Sequence, residues 1–283
     1  MKIDFTLDSK ALISAGMDNA IRIWKTEDWE YYFELDGHTK SVNTFALKSD
    51  ENILFTGSSD KTIKIWDLVD RKEILTLKGH KKPVVSLAIS PEGSLLASSS
   101  YEGDVRLWCL ETLESYAALK GHTSHVSSLS FAPDCSYLVS GALDDSMIVW
   151  DLPSGDLIKK IKSHKTSTSS IYHFAKGKKL LTTGADQMLR IWSTKDWSEE
   201  NKIKFKELGL HSVTLSPNEK YFAITRDNKF QIWSLKKVSL LLDQTIKPKS
   251  VYTTAFSSDG KWFAVGSADK KIRIWDLKEL LKS

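Results

Sequence analysis

Short phrases in which apolar and polar side chains alternate recur along the chain, and each closes on tryptophan. They are Ile21-Arg22-Ile23-Trp24, Ile63-Lys64-Ile65-Trp66, Val105-Arg106-Leu107-Trp108, Met147-Ile148-Val149-Trp150, Leu189-Arg190-Ile191-Trp192, Phe230-Gln231-Ile232-Trp233 and Ile272-Arg273-Ile274-Trp275. Apolar, polar, apolar at a period of two is the pattern of a half-buried strand. The seven tryptophans lie 42, 42, 42, 42, 41 and 42 residues apart. A fixed period of that length marks a repeat architecture, and the unit to be explained is the repeat.

Other residues keep phase with the tryptophans. Six positions before each stands an acid: Asp18, Asp60, Glu102, Asp144, Asp186, Asp227 and Asp269. Twenty-eight positions before, a histidine appears in Gly37-His38, Gly79-His80, Gly121-His122 and Ser163-His164. Turn-forming phrases such as Ser90-Pro91-Glu92-Gly93, Ala132-Pro133-Asp134 and Ser258-Asp259-Gly260 divide the units. Each period therefore predicts about four short strands and leaves little room for a helix; a helical tail is expected only over Lys278 to Lys282.

A unit that opens on Gly-His and closes on Trp-Asp, literal at Trp66-Asp67, Trp150-Asp151 and Trp275-Asp276, resembles the WD-repeat family. The resemblance covers nearly the whole chain. It implies an all-β fold, a seven-bladed β-propeller of four-stranded antiparallel blades, with residues 1–283 forming a single domain.

Recurring histidines, hydroxyls and carboxylates invite a catalytic reading. The sets are His38, Thr56 and Asp60; His80, Ser98 and Glu102; His122, Ser140 and Asp144; and His164, Thr182 and Asp186. A catalytic site built once on a fold does not reappear in successive repeats at one spacing, so a structural role is expected. The resemblance implies that each set, with Trp66, Trp108, Trp150 or Trp192, forms a hydrogen-bonded network within its blade. Ala223 and Val265 stand at the hydroxyl position of blades six and seven, and blade one begins too late to carry the histidine. These three blades are expected to be the less rigid ones.

Aligning Ile3-Asp4-Phe5 with Phe45-Ala46-Leu47 puts the first residues in the innermost strand of blade one. Blade seven is expected to fall short of its outer strand. A domain cut from a longer polypeptide, a three-stranded blade, or a strand contributed by a partner would each account for this.

Members of the resembled family bind proteins and peptides on the face carrying the loops before the inner strands. Residues at the corresponding positions are candidate contacts: Tyr101, Tyr252 and Arg226 first, because tyrosine and arginine are enriched among binding hot spots, then His125, His211, Asn43 and Leu143. One arginine among them does not make a phosphate reader. Val69, Pro153 and Lys278 stand where a Trp-Asp-x-Arg adaptor motif needs arginine.

Composition changes this picture little. The chain carries a net charge of +4, with lysine clusters at Lys159-Lys160-Lys162, Lys176-Lys178-Lys179, Lys202-Lys204-Lys206 and Lys236-Lys237. Binding to nucleic acid or an anionic surface is the alternative function they raise, but acids are interspersed and no stacking aromatics accompany them. Two cysteines make no disulfide framework, and no apolar run suits a membrane span, so a soluble cytoplasmic or nuclear protein is expected. No nucleophile elbow, phosphate loop or metal-ligand spacing occurs, so no cofactor, no metal and no catalysis are expected. The function expected is that of a scaffold binding protein or peptide partners.

Overall fold

The computed structural model of the chain describes residues 2–48, 52–205, 210–247 and 250–282, with residues 210 and 211 described in backbone only. Among these residues the strands form seven antiparallel sheets in chain order, six of four strands and the last of three. They are the blades of a β-propeller fold and span residues 2–35, 42–77, 84–119, 126–162, 168–204, 210–245 and 251–276. In every blade consecutive strands pair from the innermost outward. The third strand is the tryptophan phrase, Ile63–Asp67 in blade two and Ile272–Asp276 in blade seven. The helix at the end runs Leu277–Leu280, one residue earlier than the sequence predicts, because Asp276 accepts hydrogen bonds from the Lys278 and Glu279 N–H groups and caps it.

Chain contacts group the blades into two compact units. One holds residues 17–20 and 35–205, with blades two to five; the other holds residues 1–16, 21–34 and 206–283, with blades one, six and seven. In the first, each sheet packs face to face on the next. Phe55, Ile65 and Leu77 meet Val84, Leu87 and Trp108. Val105 and Leu119 meet Val126, Phe131 and Trp150. Val139 and Val149 meet Ile171 and Trp192.

Second strands such as Ile53–Ser58 and Leu95–Ser100 are buried almost throughout, since both their faces are covered. That is why they are rich in small residues. A β-carbon at Gly57 would stand 2.6 Å from Val84 Cγ1, and one at Gly141 2.6 Å from Thr168 Cγ2. Side chains also tie neighbouring blades: Asn43 Nδ2 donates to the Val84 carbonyl at 2.7 Å, and Ser99 Oγ to that of Val126 at 2.8 Å.

In the second unit, Phe230 and Ile232 of blade six, with Ile246 just after it, pack on Val251, Phe263 and Val265 of blade seven, and the helix adds Leu277 and Leu280. Blade seven in turn packs on blade one through Ala255 and Ala264 against Ile3, Phe5 and Leu12. Trp29 of blade one stands edge-on to Trp262 of blade seven at 5.1 Å. Asp259 N–H donates to Ser9 Oγ at 3.0 Å across the same junction.

Candidate functional site

Each histidine lies in the loop before an inner strand, each acid in the turn between strands two and three, and each hydroxyl in strand two beside the tryptophan of strand three. In blade two, Trp66 Nε1 donates to Thr56 Oγ1 at 2.8 Å. Thr56 Oγ1 lies 2.7 Å from His38 Nε2, and His38 Nδ1 lies 2.7 Å from Asp60 Oδ2. The indole can only donate, so the threonine accepts from it and gives its own proton to His38 Nε2. The imidazole is then the Nδ1–H tautomer, donating to the carboxylate. Asp60 also accepts from the Thr39 and Thr62 N–H groups, which fixes both loops.

Blade three repeats the chain with Trp108, Ser98, His80 and Glu102 at 2.8, 2.7 and 2.8 Å. Blade four repeats it with Trp150, Ser140, His122 and Asp144 at 2.7, 2.8 and 3.1 Å. In blade five, Trp192, Thr182, His164 and Asp186 stand 2.8 Å apart at every step. There Arg190 joins, its Nη1 2.9 Å from Asp186 Oδ2 and its Nε 2.9 Å from Glu199 Oε2.

Burial pushes all four histidines below their ordinary value, against the pull of their carboxylates, so they are neutral near pH 7. Burial alone would raise the carboxylates. Hydrogen bonds from Thr62 and His38 overcome it for Asp60, and bonds from Ser146, Thr123 and His122 hold Asp144 well below the usual carboxylate range. The four hydroxyls are fully buried and their protons are committed, so none can meet a substrate. Among the described residues no group of three or more His, Cys, Asp or Glu side chains could hold a metal ion. The arrangement is a hydrogen-bonded brace that ties two loops to the blade.

Blades six and seven lack the brace. Trp233 Nε1 turns to its own neighbour Gln231 at 3.1 Å, and Trp275 packs against Phe230 at 5.3 Å between ring centres. In blade one Trp24 Nε1 donates to Ser14 Oγ at 2.9 Å, with no histidine to carry the chain of bonds further. Amide exchange in the second strands is therefore expected to be roughly tenfold faster in blades one, six and seven than in blades two to five, the worth of one net hydrogen bond or more. Uniform protection measured by exchange and mass spectrometry would contradict it.

The candidate contact residues divide sharply. Tyr101 is 46% exposed and stacks on the half-buried His125, ring centres 4.4 Å apart and planes within 16°. Leu143 is 43% exposed, and its N–H donates to the His125 carbonyl at 2.8 Å. The stack thus bridges blades three and four, and a backbone bond holds exposed Leu143 next to His125. Tyr252, in blade seven, is 40% exposed. Asn43 is half-buried and engaged, donating to Ser59 Oγ at 3.0 Å and to the Val84 carbonyl. The His211 side chain lies outside the described residues.

Arg226 must be corrected. It is 7% exposed, buried at the end of strand two. Counting back from the tryptophan aligns it with Tyr101, but in blade six Phe222 pairs with Trp233, eleven positions apart, whereas Leu96 pairs with Trp108 and Leu138 with Trp150, twelve apart. The residue missing from the 41-residue period is lost from this hairpin, where Arg226 pairs with Lys229. Arg226 thus takes the place of the buried Ser100 and Ala142, and Ile224, rather than Ala223, takes that of the hydroxyl.

The lysine clusters are partly neutralised. Lys160 Nζ reaches the Gly121 carbonyl and Asp144, Lys179 pairs with Glu200 at 2.8 Å, and Lys202 with Glu199 at 2.9 Å. Lys206 lies outside the described residues. One regularity escaped the sequence reading: the residue two before the tryptophan repeatedly meets an acid of the outer strand. Arg22 meets Glu34 at 3.2 Å, Lys64 Glu73 at 2.6 Å, and Gln231 Asp243 at 2.8 Å. The signal is readable only once strand register is known, because the acid's distance from the tryptophan varies.

Comparison with known proteins agrees with this geometry. The family model for the WD domain, G-beta repeat matches residues 1–25, 29–67, 71–109, 113–151, 155–193 and 242–276. Over 96 residues the chain is 30% identical to human Elongator complex protein 2 and 29% identical to the mouse protein of that name. Each match covers 29% of this chain and 12% of the relative.

Proposed function

The chain belongs to the WD-domain, G-beta repeat family, and we propose that it is a protein-interaction module whose Tyr101, His125 and Leu143 receive a side chain of a partner within a multiprotein assembly. The observation that carries this reading is the exposed Tyr101–His125 stack with Leu143 beside it. An exposed tyrosine already held by stacking presents a large amphipathic surface at little entropic cost. Propellers of this family are generally interaction scaffolds, and the relatives are named as a protein of a complex, which supports assembly as the setting.

The test is capture from lysate of the source cell by the parent chain and by a Tyr101→Ala, Leu143→Ala variant, at two salt concentrations. A protein held by the parent at the higher salt is expected to bind the variant at least about tenfold more weakly, the usual loss at a hot spot. If the variant captures it equally, the patch is wrong. If only nucleic acid is retained and is released steeply by salt, the lysine clusters carry the binding instead.

A further inference from the structure

Six blades show what covers the third strand, and the seventh shows it uncovered. The residue three before the tryptophan is buried as Ile21, Ile63, Val105, Met147, Leu189 and Phe230, but its counterpart Ile272 is half-exposed. The residue one before it is buried as Ile23, Ile65, Leu107, Val149, Ile191 and Ile232, but Ile274 is half-exposed. Among the described residues no strand pairs with the outer side of Ile272–Asp276. Leu277 N–H donates to the Lys261 carbonyl just ahead of strand two, which continues the Trp262–Asp276 register, so the alternation of an antiparallel ladder turns the backbone groups of Ile272, Ile274 and Asp276 to the uncovered side. In other blades the counterparts of Asp276 donate outward, Lys25 to Glu30, Asp151 to Asp156 and Ser193 to Ser198.

The same repeats specify the chemistry of the missing strand. Opposite Ile63 and Val105 stand the buried Leu77 and Leu119. In four blades the residue two before the tryptophan, Arg22, Lys64, Arg190 or Gln231, meets an outer-strand acid, and in blade seven that residue is Arg273. Its guanidinium holds Asp269 Oδ2 through Nη2 at 2.6 Å and Ser267 Oγ through Nη1 at 2.7 Å, and Nη2 also reaches the Lys247 carbonyl. None of these bonds uses Nε. Arg190 holds the corresponding Asp186 through Nη1 and gives its Nε to Glu199 of its outer strand. Exposed Lys271 beside Arg273 adds positive charge.

We propose that this edge accepts an extended acidic segment of a partner protein as the fourth strand of blade seven. An apolar side chain of that segment covers Ile272 and Ile274, and a carboxylate meets Arg273 Nε. Strand addition supplies affinity through the backbone ladder and specificity through these two side chains. The site is separate from the Tyr101 patch, so either can fail alone.

The probe is a fluorescent synthetic octapeptide of the sequence Trp-Glu-Tyr-Tyr-Phe-Glu-Leu-Asp, which copies residues 29–36, the outer strand of blade one with its Glu34 and Leu35. Anisotropy with the full chain is expected to show saturable binding, about tenfold weaker when alternate peptide nitrogens are methylated and the ladder cannot form. Arg273→Gln is expected to weaken the parent peptide several-fold but not a peptide with Gln at its sixth residue. The Tyr101→Ala, Leu143→Ala variant is expected to bind the peptide unchanged. Equal binding of the methylated peptide, or none at about 1 mM, overturns the proposal. So does a self-associated chain that the peptide dissociates, which makes a second copy the occupant. Ile272, Ile274 and Asp276 amides already protected from exchange overturn it too, since a strand of the same polypeptide would then be in place.

Discussion

Trp150→Ala is expected to destabilise the chain by about 3–5 kcal/mol, the usual cost of truncating a fully buried large aromatic. Trp150 is among the largest fully buried side chains and packs with Val126, Leu129 and Phe131 in the core between blades three and four. Its loss opens a cavity there. It also removes the donor to Ser140 Oγ, which leaves the His122 brace one bond short in a dry place. Trp24→Ala is the comparison, since Trp24 is only half-buried and its single bond to Ser14 serves no histidine. Its cost is expected to be less than half as large. Urea titrations of the two variants and the parent measure both; equal losses would show that the brace and the depth of burial contribute nothing.

Acid is expected to unfold blades two to five in two stages. His38, His80, His122 and His164 have folded values below their unfolded value near 6.5, so the unfolded chain binds more protons as pH falls past about 6.5. Their stabilising contribution is complete above that pH and is lost below it, by about 1.4 kcal/mol per pH unit for each histidine until its folded value is reached. His173, half-buried beside Ser130 of blade four and pushed down to about 4 by desolvation, adds a fifth group of the same sign. Asp60, Glu102, Asp144 and Asp186 are also depressed; their contribution is present above about pH 4 and is lost as pH falls further. Stability by urea titration from pH 8 to pH 4 is therefore expected to be flat at first and then to drop steeply, with exchange appearing first in the loops that hold the histidines. A flat profile down to pH 5 would mean that these imidazoles are protonated in the folded chain.

Much of the candidate chemistry was legible because it is periodic. His38, Thr56, Asp60 and Trp66 group together in the sequence alone, since equivalent residue types recur three more times in phase. Arg226 marks where such counting fails. A period one residue short does not say which hairpin lost the residue, and the answer moves a charged side chain from a surface turn into a buried strand end. Asn43 shows a second kind of failure. Its position in the repeat points to the face that carries the loops before the inner strands, yet its amide is spent on the Val84 carbonyl of the next blade, and packing between blades leaves no trace in a pattern read one blade at a time.

Local alternation and fixed spacing dictate the strands, their order within each blade and the set of residues that brace four of the blades, so all of these can be read from the chain alone. Which side chains remain in water depends instead on how the blades pack. Tyr101 and His125 stack because two neighbouring blades bring loops twenty-four residues apart into contact. Ile272 and Ile274 stay half-exposed because burial of a third strand requires a fourth beside it, a relation between elements that the residues of a single strand cannot express.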